Sequence, residues 1–131
     1  MISSLFLGLL GLLYIYMTLQ IINARHKYKV SLGVGQNKEI ESLVSAHSNF
    51  SNYVPILMIL LFAIELISEA PNFIVYLLGT LIFLGRLLHF IAFKDKMNFT
   101  LRKYGMHLTI WPLVAMSTAL IVYSLYRLVS Q

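Results

Sequence analysis

Five polar side chains recur at three- and four-residue steps along one stretch of the sequence, at Glu41, Ser45, Ser48, Asn49 and Asn52. On an α-helix this spacing places them on one face. The stretch leads into an apolar segment, so the face should contact protein or a water-filled cavity rather than lipid. Two interpretations stay open: the face binds a hydrophilic ligand at the cytoplasmic membrane surface, or its amides and hydroxyls join neighbouring helices.

Three ionisable side chains inside apolar stretches need an explanation. Arg86 and His89 are three residues apart and share one helical face, whereas Glu65 lies on the preceding stretch. Charge inside a bilayer is costly, so each residue is a functional hypothesis. We favour a structural role for Arg86, bonded to a neighbouring helix, and a place in the wall of an anion site for His89. Glu65 lies about 10 Å from Arg86 in depth, which predicts an interfacial or locally paired carboxylate.

The elements that position these side chains are four apolar stretches. The chain is 59% hydrophobic and 11% charged, against roughly 25% charged in a soluble domain. No stretch alternates as the strands of a membrane barrel do. We predict an all-α membrane protein with a single domain over residues 1–131, a four-helix antiparallel bundle. Its transmembrane helices are predicted over about 2–22, 42–67, 73–93 and 104–128. We expect the first stretch to be retained rather than cleaved as a signal peptide.

The positive charges mark the predicted loops. Eight of the ten Lys and Arg residues lie in two connections, residues 23–41 and 94–103, which predicts that both loops are cytoplasmic. Because the net charge of +5 is confined to these loops, it does not indicate a nucleic-acid partner. The absence of cysteine excludes disulfides, a thiolate nucleophile and cysteine-ligated zinc, and no metal site is expected.

Several motifs occur in one order along the chain: a basic segment over 26–35, an Ala-His-x-Asn-Phe run within 45–55, Gly-Arg-x-x-His at 85–89, Arg102, and Pro112 ten residues later. In these motifs the sequence resembles the MAPEG family, membrane-associated proteins in eicosanoid and glutathione metabolism. It is most similar to the small bacterial branch, which resembles microsomal glutathione transferases. The resemblance covers nearly the whole chain and implies a homotrimer in the lipid bilayer of a bacterial inner membrane.

The resemblance also implies a ligand and a site. Glutathione would serve as co-substrate, bound between neighbouring subunits in a cleft open to the cytoplasm. Arg102 would be the catalytic residue, because a guanidinium favours the thiolate form of the glutathione thiol. Arg25 would hold a glutathione carboxylate or aid the chemistry. The implied glutathione-binding residues are Arg25, Ser45, Asn49, Asn52, Tyr53 and His89, and the implied structural or supporting residues are Arg86 and His47.

Three positions depart from the family pattern. Ser45 stands where the family has an arginine, Asn52 where it has a glutamate, and Phe93 where several of the enzymes have a tyrosine. Each charge-assisted contact to a ligand contributes about 1.5–3 kcal/mol. Losing two of them weakens glutathione binding several hundred-fold or more, although the two losses cancel in net charge.

Two functions follow from the resemblance. The first is a glutathione-dependent transferase or peroxidase that acts on lipophilic electrophiles or lipid peroxides, with a degenerate glutathione motif. The alternative is a non-enzymatic member that binds a lipid or another ligand as a membrane scaffold. Three departures favour the scaffold: Ser45, Asn52 and Phe93. Three matches favour the enzyme: Asn49, His89 and Arg102. A proton-coupled exporter is disfavoured because the first stretch contains no carboxylate.

Overall fold

The computed structural model describes residues 1–68, 70–94 and 98–130, and these residues form four long helices. The helices are α1 (Ile2–Tyr28), α2 (Lys38–Ile67), α3 (Asn72–Lys94) and α4 (Phe99–Val129). Each is long and apolar enough to cross a membrane. The predicted all-helical, four-helix membrane bundle is therefore confirmed.

Three helices continue beyond the apolar stretches that predict them. Helix α1 extends to Tyr28, α2 begins at Lys38 and α4 begins at Phe99. The side chains of Asn37 and Asn98 accept hydrogen bonds from backbone N–H groups in the first turns of α2 and α4. These caps satisfy groups that would otherwise lack a helical partner. The polar flanks of α2 and α4 therefore stay helical. Two residues that sequence analysis assigned to loops lie on helices, Arg25 on α1 and Arg102 on α4.

The order in which the helices pack determines which residues can meet. Helix α1 packs against α2 and α3, whereas α4 packs against α3 and α2. Over the described residues, α1 and α4 make no helix-to-helix contact. The pair α2 and α3 therefore forms the centre of the protomer, with α1 on one side and α4 on the other.

Two glycines let α3 and α4 approach to backbone contact. A Cβ added to Gly105 would lie 2.7 Å from the backbone nitrogen of His89 and 2.8 Å from the carbonyl oxygen of Gly85. A Cβ added to Gly85 would lie 3.0 Å from the carbonyl oxygen of Gly105 and equally close to Oγ1 of Thr109. Small residues at such crossings are typical of helix pairs in membranes, where close packing replaces the hydrophobic driving force. This crossing brings the polar residues of α3 and α4 together.

Glu65 joins the far end of α2 to the beginning of α1. No side chain within α1 caps its first turn. The Glu65 carboxylate accepts hydrogen bonds from the backbone N–H groups of Ile2 and Ser3 and from the Ser3 hydroxyl. A carboxylate at this position also interacts favourably with the positive end of the helix dipole. The prediction of a locally paired Glu65, separate from Arg86, is confirmed.

The α3–α4 crossing predicts the effect of adding one methyl group. Gly105→Ala should destabilise the bundle by about 1–3 kcal/mol, because the new Cβ meets backbone atoms that cannot move aside. Thermal unfolding of the purified protein in detergent measures this loss. Gly8→Ala is the matched control, since a Cβ at Gly8 has nothing within 4 Å. Equal stability of the two variants would contradict the close crossing.

Candidate functional site

The two faces of α2 differ sharply in character. One face is buried in the protomer and carries the apolar residues Ile40, Leu43, Ala46, Phe50, Val54, Leu57 and Leu61. The opposite face carries the predicted polar stripe, and Glu41, Ser45, Ser48 and Asn52 are exposed there. Over the described residues these four side chains make no hydrogen bond to another helix, so within the chain Asn49 is the member of the stripe that joins neighbouring helices. The four exposed side chains point away from their own bundle, in the N-terminal half of α2.

Asn49 lies at the edge of the stripe and is half-buried because it contacts α3. Its side-chain oxygen accepts a hydrogen bond of 2.7 Å from the guanidinium of Arg86. The same guanidinium donates to the hydroxyl of Thr109 on α4 and contacts the sulfur of Met106 at 3.7 Å. Arg86 therefore connects three helices from the middle of the protomer.

Arg86 is a buried cation held by neutral groups. Only 1% of its surface is exposed. Over the described part of the chain, no carboxylate lies within ion-pair distance of the Arg86 guanidinium. The ion pair that these described residues do form joins Lys27 to Glu39. The ring of Tyr53 lies 5.6 Å from the guanidinium carbon, within the range of a cation–π contact. Neutral acceptors and this ring replace a counter-ion, so the positive charge of Arg86 is left uncompensated at the site.

His89 and Arg102 continue the site from the core to the surface. His89 is 2% exposed, and its ring packs on Phe93 with 5.0 Å between the ring centroids. The guanidinium of Arg102 lies over the same Phe93 ring at 4.9 Å, and Arg102 is exposed. Within the described residues, Nε2 of His89 and Nε of Arg86 are buried without a hydrogen-bond partner. The site therefore combines an exposed cation, Arg102, with a buried cation, Arg86, and two buried polar nitrogens that have no hydrogen-bond partner among the described residues.

Two predicted site residues lie elsewhere. Arg25 is on α1 and donates hydrogen bonds to the carbonyl oxygens of Ser31 and Gly33 in the following loop. His47 faces α1, where Nε2 lies 3.0 Å from the hydroxyl of Thr18 and the ring packs on Tyr14. Because α1 is on the side of the protomer away from α4, neither residue joins Asn49, His89 and Arg102 within one protomer.

Sequence analysis placed Arg102 in this site but missed the α4 residues that surround Arg86. Gly105 allows the close approach, and Thr109 and Met106 contact Arg86. The signal was present, since Gly105 and Thr109 are four residues apart and small residues at this spacing are typical of tight helix crossings in membranes. The spacing of Gly105 and Thr109 therefore indicates this part of α4 as a place where a partner of Arg86 could lie.

The fold and the site define a four-helix membrane protein with a polar, cationic site where the N-terminal ends of α2 and α4 meet the C-terminal end of α3. Comparison with known proteins gives the same class. The sequence profile of the MAPEG family matches residues 3–122, and this chain belongs to the MAPEG family. It is also 30% identical over 129 residues to the inner membrane protein YecN of Escherichia coli K12, covering 98% of this chain and 97% of that protein. YecN of Escherichia coli O6:H1 matches equally well.

The outward direction of the polar stripe can be tested by labelling single introduced cysteines, because the chain contains no cysteine of its own. Ser45→Cys should react readily with a charged, membrane-impermeant maleimide, since the side chain faces water in the proposed cleft. Ala46→Cys is the adjacent control and should react slowly, because Ala46 is buried against its own bundle. Mass spectrometry of labelled membranes measures both rates. Equally slow labelling of the two cysteines would show that no water reaches the stripe.

Proposed function

We propose that this protein is a glutathione-dependent transferase or peroxidase that acts on lipophilic substrates at the membrane. One observation carries the proposal: the polar face of α2 points out of the protomer beside Arg102, His89 and Asn49. Amide and hydroxyl groups at this depth are costly to expose to acyl chains. Another protein surface must therefore pack over this face, and it must either provide polar contacts or leave room for water.

A second copy of the chain is the cover that we propose, in a homotrimer. The outer surface of the protomer carries many exposed apolar side chains, which suit both lipid and sister subunits. An interface along α2 would enclose the stripe and leave its cytoplasmic end open. It would also bring Arg25 of one subunit to the cleft of the next, which the packing order excludes within a single protomer.

The chemistry proposed for this cleft depends on the position of Arg102. The Asn98 cap begins α4, and it places Arg102 in the first turn of that helix. An exposed guanidinium and the positive end of a helix both favour a nearby anion. Both would favour the thiolate form of a bound thiol, which is the nucleophile. Its sulfur would bond to an electrophilic carbon and displace the leaving group, while Arg102 keeps its proton throughout.

The fit to glutathione is incomplete at two positions. Ser45 and Asn52 can donate and accept hydrogen bonds, but neither carries a charge for the carboxylates or the ammonium of glutathione. Arg102 and a neighbour's Arg25 provide the positive charge that remains. We therefore expect binding at millimolar concentration at best.

The same two positions support a second candidate, a non-enzymatic member of the family that binds a lipid or another ligand. Phe93 adds to this support, because it gives Arg102 and His89 an apolar surface without a hydroxyl. In that function the cleft would hold a less charged ligand and carry out no chemistry.

Topology and location complete the proposal. The chain is a multi-pass membrane protein by its four apolar helices. We propose that both basic connections are cytoplasmic and that the protein lies in a bacterial inner membrane. The cleft would then open to the compartment in which glutathione is made and kept reduced. Lipophilic substrates would enter from the bilayer.

Replacing Arg102 tests the enzymatic function. Arg102→Ala should abolish conjugation of glutathione to a small aromatic electrophile, because nothing else near the site favours the thiolate as strongly. Arg102→Lys should retain part of the rate. Spectrophotometric conjugation assays on purified protein measure both, with Arg127→Ala at the far end of α4 as the matched control. Wild-type turnover in Arg102→Ala would remove Arg102 from the chemistry.

Restoring the two charges of the family pattern separates the two candidates. Ser45→Arg combined with Asn52→Glu should tighten glutathione binding by about a hundredfold or more, because each of the two restored charge-assisted contacts contributes about 1.5–3 kcal/mol. Calorimetric titration measures the gain, and Asn72→Glu, at the exposed beginning of α3, is a control for an added carboxylate away from the stripe. An unchanged affinity would show that the cleft has been rebuilt for a different ligand, as the scaffold function requires.

A further inference from the structure

A series of hydrogen bonds runs from α4 through α3 to α2, and the chemistry of its groups sets its direction. The hydroxyl of Thr109 donates to the carbonyl oxygen of Gly105 at 2.8 Å. A hydroxyl has one hydrogen, so Thr109 can only accept from Arg86. The series therefore begins at a fixed backbone oxygen, within the close α3–α4 crossing.

The guanidinium of Arg86 fixes the orientation of the Asn49 side-chain amide. A guanidinium has donors and no acceptor, so the atom of Asn49 that lies 2.7 Å from Arg86 must be the amide oxygen. The orientation of an asparagine amide is ordinarily a matter of assignment from its surroundings. Here a buried cation determines it. The amide nitrogen, with its two hydrogens, faces away from Arg86 at the half-buried edge of the polar stripe.

We infer that Arg86 is a positioning residue that holds Asn49 as a dedicated hydrogen-bond donor towards the cleft. A ligand that contacts Asn49 must therefore present an acceptor at this depth, such as a carboxylate or a peptide carbonyl oxygen, and a ligand ammonium is rejected there. This inference deepens the proposed function and rests on it, because it takes the cleft to bind glutathione.

The choice of partner separates this role from a purely structural one. If Arg86 only had to be stabilised in the core, a carboxylate would serve better than an amide. An aspartate has nearly the shape of asparagine, and it would pair with Arg86 through its charge. It would, however, present no donor to the cleft. The Asn49→Asp variant therefore keeps the helix connection, removes the donor and also neutralises the charge of Arg86, which the Arg86→Met and Asn49→Ala variants below separate from the loss of the donor.

The first part of the test needs no ligand. Asn49→Asp should unfold thermally at or above the wild-type temperature, whereas Asn49→Leu should unfold at a lower temperature, because Arg86 then loses its acceptor. Asn23→Asp and Asn23→Leu, at an exposed position on α1, are the matched controls. A large loss of stability in Asn49→Asp would overturn the assigned orientation, whatever the protein binds.

The second part measures equilibrium binding of radiolabelled glutathione to the purified protein. Asn49→Asp should weaken binding at least about tenfold, the factor that corresponds to one good hydrogen bond. Arg86→Met should weaken binding to a similar degree in the wild-type background and have no further effect when Asn49 is already alanine. Arg127→Met controls for removal of an arginine.

The outcomes distinguish the two proposals. Independent, additive effects of Arg86→Met and Asn49→Ala on glutathione binding would overturn the positioning role while leaving the proposed function intact. Glutathione affinity retained in Asn49→Asp would overturn it as well. A wild-type protein that binds no glutathione, with the thermal results as expected, would overturn the proposed function and support the fixed amide orientation alone.

Discussion

A guanidinium buried at the centre of a membrane protomer is the constraint on which this structure depends. Charge at this depth is tolerated only when every nearby element provides partners. Arg86 obtains them from α2 and α4 at once, through Asn49, Thr109 and Met106. The glycine crossing of α3 and α4 is what allows this reach. Because the partners are neutral, the site keeps a positive charge beside the polar face of α2.

The proposed function depends on the polar face of α2, which lies beside Arg86. A helix that buries its apolar side within the protomer and points hydroxyls and amides outward is incomplete alone, since lipid cannot satisfy those groups. Its completion by a sister subunit would enclose a wet cleft between two apolar surfaces. Such a cleft can admit a polar thiol from the cytoplasm and a lipophilic partner from the bilayer. A binding protein without catalytic activity could use the same cleft. The two functions differ in what they require of Ser45 and Asn52, which carry no charge where the family has an arginine and a glutamate.

Much of this fold could be predicted from sequence, because hydropathy and spacing act locally. Four apolar stretches predicted four helices, and depth along them correctly separated Glu65 from Arg86. The ends of the helices were harder to predict from sequence, because the Asn37 and Asn98 caps extend α2 and α4 through polar residues. The partners of Glu65 and Arg86 were not predictable in the same way. They lie 62 and 63 residues from Glu65 and between 20 and 37 residues from Arg86 along the chain, and only tertiary packing brings them together.

The central claim is that the polar face of α2 lines a cleft shared between subunits. An experimental structure of the purified assembly in lipid nanodiscs, determined with and without glutathione, tests it most directly. The account predicts three subunits, Arg25 of one facing Ser45 and Arg102 of the next, and ligand density beside Asn49. A face packed dry against a neighbour, or turned towards the acyl chains, would contradict it.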